Sequence, residues 1–297
     1  MPSLSVIIPA YESAATIAGC LEALARQTCQ DFETIVVDSS PEKTTEDLVT
    51  ARFPWVRFHH SPHRLLPHAA RNLGVSLAES PLLLFTDPDV YPHPGWVERM
   101  VAAHQETGNV IVGAIACHGR RWRDQGIHLC KFSKWLPGGH SRRVDMGPTA
   151  NLLLSRADFA AAGGLPGDEM LGDVSLSWRL WDTGRELRFE PGAIVEHHHL
   201  HTVRSFLVER YTRGMLYGRL RVERVGRKRS AALIYLLASV LPVRLPRILV
   251  LVAGQSARAG QTGRFLSTLP LIVLGHSASL AGEAVAWAGF LTSGRQR

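Results

Sequence analysis

Five short apolar or β-branched runs alternate with helix-like segments over the first 116 residues of this 297-residue chain, and that alternation restricts the fold more than any other feature. Leu4–Ile8 has the composition of a strand buried on both faces, ended by Pro9. Ser13 is placed to cap a helix whose apolar residues Ile17, Leu21 and Leu24 recur at i, i+4 and i+7. Thr34–Val37 predicts a second strand, closed by Asp38-Ser39-Ser40, and Trp55–His59 a third extended segment after a helix over 44–52. A helix over Pro67–Leu77 leads to the fourth strand, Leu82–Thr86, which stops at Asp87-Pro88-Asp89. Pro94–Thr107 predicts a helix and Val110–Ala116 a strand. This order gives an α/β fold with a mixed, mainly parallel sheet flanked by helices.

Ligands of open α/β sheets bind beyond the carboxyl ends of the strands. Asp38 follows strand two, and Asp87 and Asp89 follow strand four, so all three lie on that edge. Pro88 fixes the two later carboxylates at a bend, where no cation adjacent in sequence can pair with them. Hard oxygen donors in such a place suit Mg2+ or Mn2+ carrying a substrate phosphate. Asp-Pro-Asp by itself is also ordinary turn chemistry. Its position after a strand, with Asp38 beside it, favours the metal reading.

Charge divides the chain. Residues 1–201 hold 18 Lys and Arg against 23 Asp and Glu, whereas residues 202–297 hold 15 against 3. Nine of those cations fall in 202–229, a basic connecting helix, and apolar stretches follow at 231–254 and 265–291. Basic clusters abutting apolar helices mark the cytoplasmic face of a membrane. Nucleic acid is excluded as a partner, because apolar runs and not aromatic residues accompany the arginines. Arg244 and Arg247 within the first stretch, and its breaks at Pro242 and Pro246, favour peripheral or re-entrant attachment over two full spans. The N-terminus MPSLSVIIPAYES lacks the pattern of a secretory signal, and Cys20, Cys29, Cys117 and Cys130 form no disulfide framework. The expected location is the cytoplasmic face of the inner membrane. The expected domains are 1–201, with halves meeting near 116, then the basic helix and a hydrophobic helical region over 230–297.

Several motifs in order resemble those of the family 2 glycosyltransferases. They are VIIPAYES at 6–13, IVVDSS at 35–40, ARNLG at 70–74, LLLFTDPDV at 82–90, PTANLLLSRADFAAAGGLP at 148–166, LGDVSLSWRL at 171–180 and VEHHH at 195–199. The resemblance implies a GT-A fold, a nucleotide-diphosphate-sugar donor, and transfer to an acceptor hydroxyl with inversion at the anomeric carbon. That acceptor is expected to be lipid-linked or part of a surface glycan. Two positions depart from the family's pattern. Glu12 stands where asparagine is usual, and Gly172 where an acidic residue often precedes the catalytic aspartate.

The implied chemistry needs a cation to neutralise the departing diphosphate and a carboxylate to take the acceptor's proton. Asp87 and Asp89 are the expected metal ligands, and inversion places the base on a different segment. Asp173 fits that base, at the start of a helix buried through Val174, Leu176, Leu180 and Trp181. From the resemblance, Asp38 receives the base or ribose of the nucleotide, with Pro9, Tyr11 and Glu12 lining the same pocket. His197 is likewise implied as a further metal ligand, Arg71 as a diphosphate contact, and Thr149, Asn151 and Gly172 as the acceptor side. Strand alternation would instead put His197, His199 and His201 on one face as a zinc site. His118, His128, Cys117 and Cys130 are too irregularly spaced for a zinc cluster and are expected in loops. The competing functions are a nucleotide-sugar-binding protein without catalysis and a nucleotidyltransferase. Against the latter, AYESAATIAG is not the Gly-rich basic loop a triphosphate needs.

Overall fold

The computed structural model describes residues 2–167, 170–241 and 243–293. They form a sheet unit, residues up to His118 with Pro137–His198, and a helical unit, Gly119–Leu136 with residues from His199 onward.

The sheet unit is built from β1 (Leu4–Ala10), α1 (Ile17–Ala25), β2 (Phe32–Asp38), α2 (Thr44–Arg52), β3 (Arg57–His60) and α3 (Pro67–Leu77). It continues with β4 (Leu82–Phe85), β5 (Val90–Pro92), α4 (Trp96–Thr107) and β6 (Val110–Cys117). α5 (Trp122–Phe132) then falls in the helical unit, before β7 (Arg142–Val144), β8 (Leu152–Ser155), α6 (Arg156–Ala161), α7 (Gly172–Asp182) and β9 (Leu187–His197). The sheet runs β3-β2-β1-β4-β8-β6-β9-β5, with β7 added on β9. β3, β2, β1 and β4 are parallel, and β8 lies antiparallel between β4 and β6. The sheet is mixed, as expected, with its parallel pairing in the first four strands and between β6 and β9.

Local differences from the sequence reading have physical reasons. β1 passes through Pro9, which pairs with Val37 of β2. The Thr86 N–H donates to the Ile7 carbonyl, so residues 7 and 9 turn toward β4, whose pairing ends at Ile7. The missing N–H of Pro9 thus breaks no ladder bond. Ser13 does not cap α1. Its hydroxyl accepts from Tyr11 N–H, and its carbonyl takes the N–H groups of Thr16 and Ile17 in a turn ahead of the helix. β5 went unpredicted because three residues are too few to show alternation; its pairing with β9 defines it.

In the helical unit, α8 (Val203–Arg224), α9 (Arg229–Val240), α10 (Arg244–Arg258) and α11 (Thr262–Ser293) join α5. α5 belongs here because Ile127, Leu129 and Cys130 are buried in one cluster with Phe206, Leu271 and Ile272. The Thr202 hydroxyl accepts from Ser205 N–H and the Ser205 hydroxyl accepts from Thr202 N–H, which closes the start of α8. Glycines let α8 and α11 approach closely. A Cβ at Gly214 would lie 2.0 Å from the Ser279 carbonyl oxygen, and one at Gly282 would lie 2.1 Å from that of Tyr211. Arg244, expected to be costly within an apolar stretch, donates to both oxygens of the buried Glu283, at 2.7 and 3.2 Å, and to Ser239 Oγ at 3.0 Å. Pro242 lies outside the described residues. α9 and α10 are bent from one another by 69°, while α11 is a described helix long and apolar enough to cross a membrane. Of the most apolar window of α11, 44% is buried within the protein, which also fits a core helix.

Replacing Gly214 by Val places methyl groups against backbone that has no room to give. Thermal unfolding is expected to show a loss of about 1–3 kcal/mol. Gly254→Ala in α10, where a Cβ meets nothing within 4 Å, should be neutral or stabilising by up to about 1 kcal/mol.

Candidate active site

The C-terminal edge of β1, β2 and β4 collects most of the residues singled out by the sequence. Asp38 ends β2, Pro9 is the penultimate residue of β1, and Asp87 follows β4. Asp38 is fully buried. Its Oδ1 accepts from Ser40 Oγ at 2.7 Å and its Oδ2 from Ser40 N–H at 3.0 Å, with His60 Nδ1 at 3.4 Å. Ser40 Oγ in turn accepts from Glu12 N–H at 2.7 Å. Glu12 has φ 50°, a left-handed conformation unusual for a side chain with a Cβ. The Asp38–Ser40 arrangement holds that turn in place. Asp38 therefore organises the loop carrying Tyr11 and Glu12, and its carboxylate is not presented to solvent as the expected nucleotide contact. Tyr11 is half-buried under Arg64, whose guanidinium carbon is 4.4 Å from the ring centre.

Arg71 projects from α3 and is 2% exposed. Its Nη2 pairs with Asp87 Oδ1, its Nη1 is 3.4 Å from His68 Nδ1, and its buried Nε has no hydrogen-bond partner among the described residues. An orphaned guanidinium donor is suited to a phosphate oxygen. Asp89 Oδ2 lies 3.9 Å from His197 Nδ1 at the end of β9. Burial raises the Asp87 carboxyl above the ordinary aspartate range against the pull of Arg71; Asp89 and Asp173 raise it further, and His197 lowers it. The cluster is thus short of positive charge even with Arg71 in it. Two carboxylates and an imidazole are a donor set that fits Mg2+ or Mn2+.

Asp173 is in the first turn of α7, where its Oδ1 accepts from Val174 N–H at 3.0 Å. Gly172, the departure noted in the sequence, has a steric cause. A Cβ there would sit 2.7 Å from His68 Cδ2, so the buried His68 ring fills the space a side chain at 172 would need. His68 thereby touches both Gly172 and Arg71. Nothing in the sequence marked it, since Pro67-His68 is an ordinary helix start and Gly172 is far away in the chain.

Asn151 is placed differently from the acceptor-side expectation. It is fully buried: its Oδ1 accepts from Trp96 Nε1 at 2.8 Å, and its Nδ2 donates to the carbonyls of Ala114 and Ala193 at 2.9 and 3.1 Å. These bonds tie α4, β6 and β9 together, and no polar atom of the side chain is left to face a ligand. Thr149 is also buried, in the turn before β8. The histidine run does not form one face, because β9 ends at His197. On the opposite side of the strand Glu196 meets His93 at 3.1 Å and His118 at 2.8 Å. In the helical unit, His199 Nε2 is 3.1 Å from His128 Nδ1, and His201 is 3.5 Å from Glu209. His128 and Cys130 lie in α5, and Cys117 ends β6, so the loop expectation for them is corrected.

The family model for glycosyl transferase family 2 matches residues 5–156, about half of the chain. The chain belongs to glycosyl transferase family 2. A validoxylamine A glucosyltransferase from Streptomyces hygroscopicus subsp. jinggangensis is 37% identical, covering 61% of this chain and 51% of that protein. A pre-mycofactocin glycosyltransferase from Mycobacterium tuberculosis is 27% identical over 70% of this chain and 45% of its own length. The chain spans about half the length of these curated relatives. Among solved structures, S. aureus TarS in complex with UDP-GlcNAc superposes with a TM-score of 0.56 at 16% identity, covering 100% of this chain and 92% of that one. The mannosyltransferase PcManGT from Pyrobaculum calidifontis, in complex with GDP-Man and Mn2+, also scores 0.56 at 16% identity, covering 91% and 86%. These structures share the GT-A-like mixed α/β fold of this family 2 chain.

Gly172→Ala is expected to unfold at lower temperature than the parent, and His68→Ala should relieve most of that penalty. A double-mutant cycle by thermal unfolding should give a coupling of at least about 1 kcal/mol. Additive effects would place His68 and Gly172 out of contact.

Proposed function

We propose that the chain is an inverting glycosyltransferase that moves a sugar from a nucleotide diphosphate to an acceptor hydroxyl. The observation that carries this reading is the carboxylate cluster in which Asp89 and Asp173 act on Asp87, itself paired with Arg71, at the sheet edge of a family 2 chain.

Asp87, Asp89 and His197 would hold Mg2+ or Mn2+, which when bound neutralises charge on the diphosphate leaving group. Arg71 supplies fixed positive charge beside Asp87, and its unpartnered Nε is available to a phosphate oxygen. Asp173 takes the proton of the acceptor hydroxyl at a carboxylate oxygen. His68 keeps the start of α7 and the Arg71 guanidinium in register. Asp38 acts through Ser40 by holding Glu12 and Tyr11 in place for the nucleotide. Related folds hold UDP-GlcNAc or GDP-Man, so the base and sugar are questions for a ligand panel. The helical unit supports attachment at the cytoplasmic face of the inner membrane, where the acceptor is lipid-linked or part of a surface glycan. Its acids Asp124, Glu209, Glu223 and Glu283 are each paired within the unit, which leaves an excess of cations on it.

Thermal shift with UDP, GDP, dTDP and CDP, each with Mn2+, Mg2+ or EDTA, tests the donor site. One nucleotide should stabilise only with metal, by about 2.7 kcal/mol at a hundred times its Kd. Asp89→Ala should lose that response. Asp173→Asn should keep it while transfer falls by at least a hundredfold, and a near-normal rate in this variant would remove the base assignment. Metal-supported nucleotide binding should also weaken on acidification. Cation binding requires the ionised carboxylate, and the raised Asp87 carboxyl takes up its proton at higher pH than an ordinary aspartate. Affinity unchanged down to the pH where ordinary aspartates protonate would contradict Asp87 as a ligand.

A further inference from the structure

The helical unit contains a groove of about 340 Å3 between the second half of α8 and the end of α11. Its apolar lining includes Met215, Val222, Val285 and Phe290, and its charged lining residues are Arg219, Arg227 and Glu223. Val222 and Phe290 also belong to the apolar cluster that seats α9. α9 itself leaves Leu233, Ile234, Leu237 and Val240 exposed at helical spacing, so its outer face is apolar without a protein partner among the described residues.

The two arginines differ. Arg227 is paired with Glu223 at 2.9 Å, and its guanidinium carbon is 5.6 Å from the centre of the Phe290 ring. It is held there by a turn in which Arg227 itself has φ 56°, a conformation that costs free energy in a non-glycine residue. Arg219 meets no carboxylate among the described residues; its Nη2 has Met215 Sδ at 3.8 Å, a weak acceptor. The groove therefore combines an apolar floor with one uncompensated guanidinium. Arg219 is exposed; a wholly apolar ligand would use the floor and not the guanidinium, and a free anion the guanidinium and not the floor. An amphiphile with an acyl or isoprenoid chain and a phosphate satisfies both, because guanidinium groups bind phosphate oxygens through paired donors.

We propose that this groove is a binding site for a phosphate-bearing lipid, with the chain along Met215, Val285 and Phe290 and the phosphate on Arg219. The site lies outside the transferase machinery, and its test reads binding alone.

Gly289 lines the groove, and a Cβ there meets nothing within 4 Å. Gly289→Leu therefore fills the groove without disturbing the backbone and improves helix propensity. Isothermal titration of the full chain with dihexanoyl phosphatidic acid, dihexanoylglycerol and inorganic phosphate tests the proposal. The phosphatidic acid should bind at least tenfold more tightly than either of the others. Arg219→Gln should weaken it by about tenfold or more, and Gly289→Leu should weaken it similarly while the melting temperature holds or rises. Inorganic phosphate binding as tightly as the lipid would overturn the proposal, as would full lipid affinity in both variants. The nucleotide thermal shift should be unchanged in both, so failure of the lipid site and failure of the transferase reading are separate results.

Discussion

The ion pair between Arg71 and Asp87 is the contact around which the rest of the candidate site is arranged. Arg71 comes from α3, which lies so close to β1 that a Cβ at Gly74 would sit 2.5 Å from Ile7 Cγ2. That approach puts a buried guanidinium beside the Asp-Pro-Asp turn. A buried pair of this kind contributes little net stability, because desolvation offsets most of the attraction. Its consequence is positional. It fixes one carboxylate of the turn, and through His68 it reaches the start of α7 and hence Asp173.

Around that pair, the mixed sheet brings in what a parallel sheet would not. β8 runs antiparallel between β4 and β6, and β9 runs parallel to β6 with its end at His197. The end of β9 is thereby brought to Asp89, whose carbonyl accepts from His198 N–H at 2.8 Å. Asn151 secures this half of the unit by using its amide on Trp96 and two strand carbonyls. Removing it would leave several buried polar groups without partners, each costing about 1–3 kcal/mol. Asn151 is thus a structural residue within a motif that also belongs to the family.

In the helical unit the same logic holds with fewer acids. Glu283 answers Arg244, and Glu209 answers the buried Lys131, whose ammonium is held below its usual range chiefly by desolvation. Arg219, by contrast, stands at the groove without a carboxylate among the described residues. The close α8–α11 crossing is made by Gly214, Gly218 and Gly282, and α9 leaves apolar side chains exposed.

The sequence by itself determined the strand and helix order through β6 apart from β5, the placement of Asp38, Asp87 and Asp89 at one sheet edge, and the division of charge near residue 201. Each of these depends on local periodicity or on strand ends, which neighbouring residues encode. Pro67–Leu77 was legible to the residue because proline opens the helix and its apolar spacing is regular. Only the tertiary structure decided that β8 inserts antiparallel, that α5 joins the helical unit, that Asp38 and Asn151 are buried organisers, and that Gly172 yields its space to His68. These outcomes depend on packing between residues far apart in the chain. A one-residue pattern cannot show which distant ring or carbonyl will occupy a given volume.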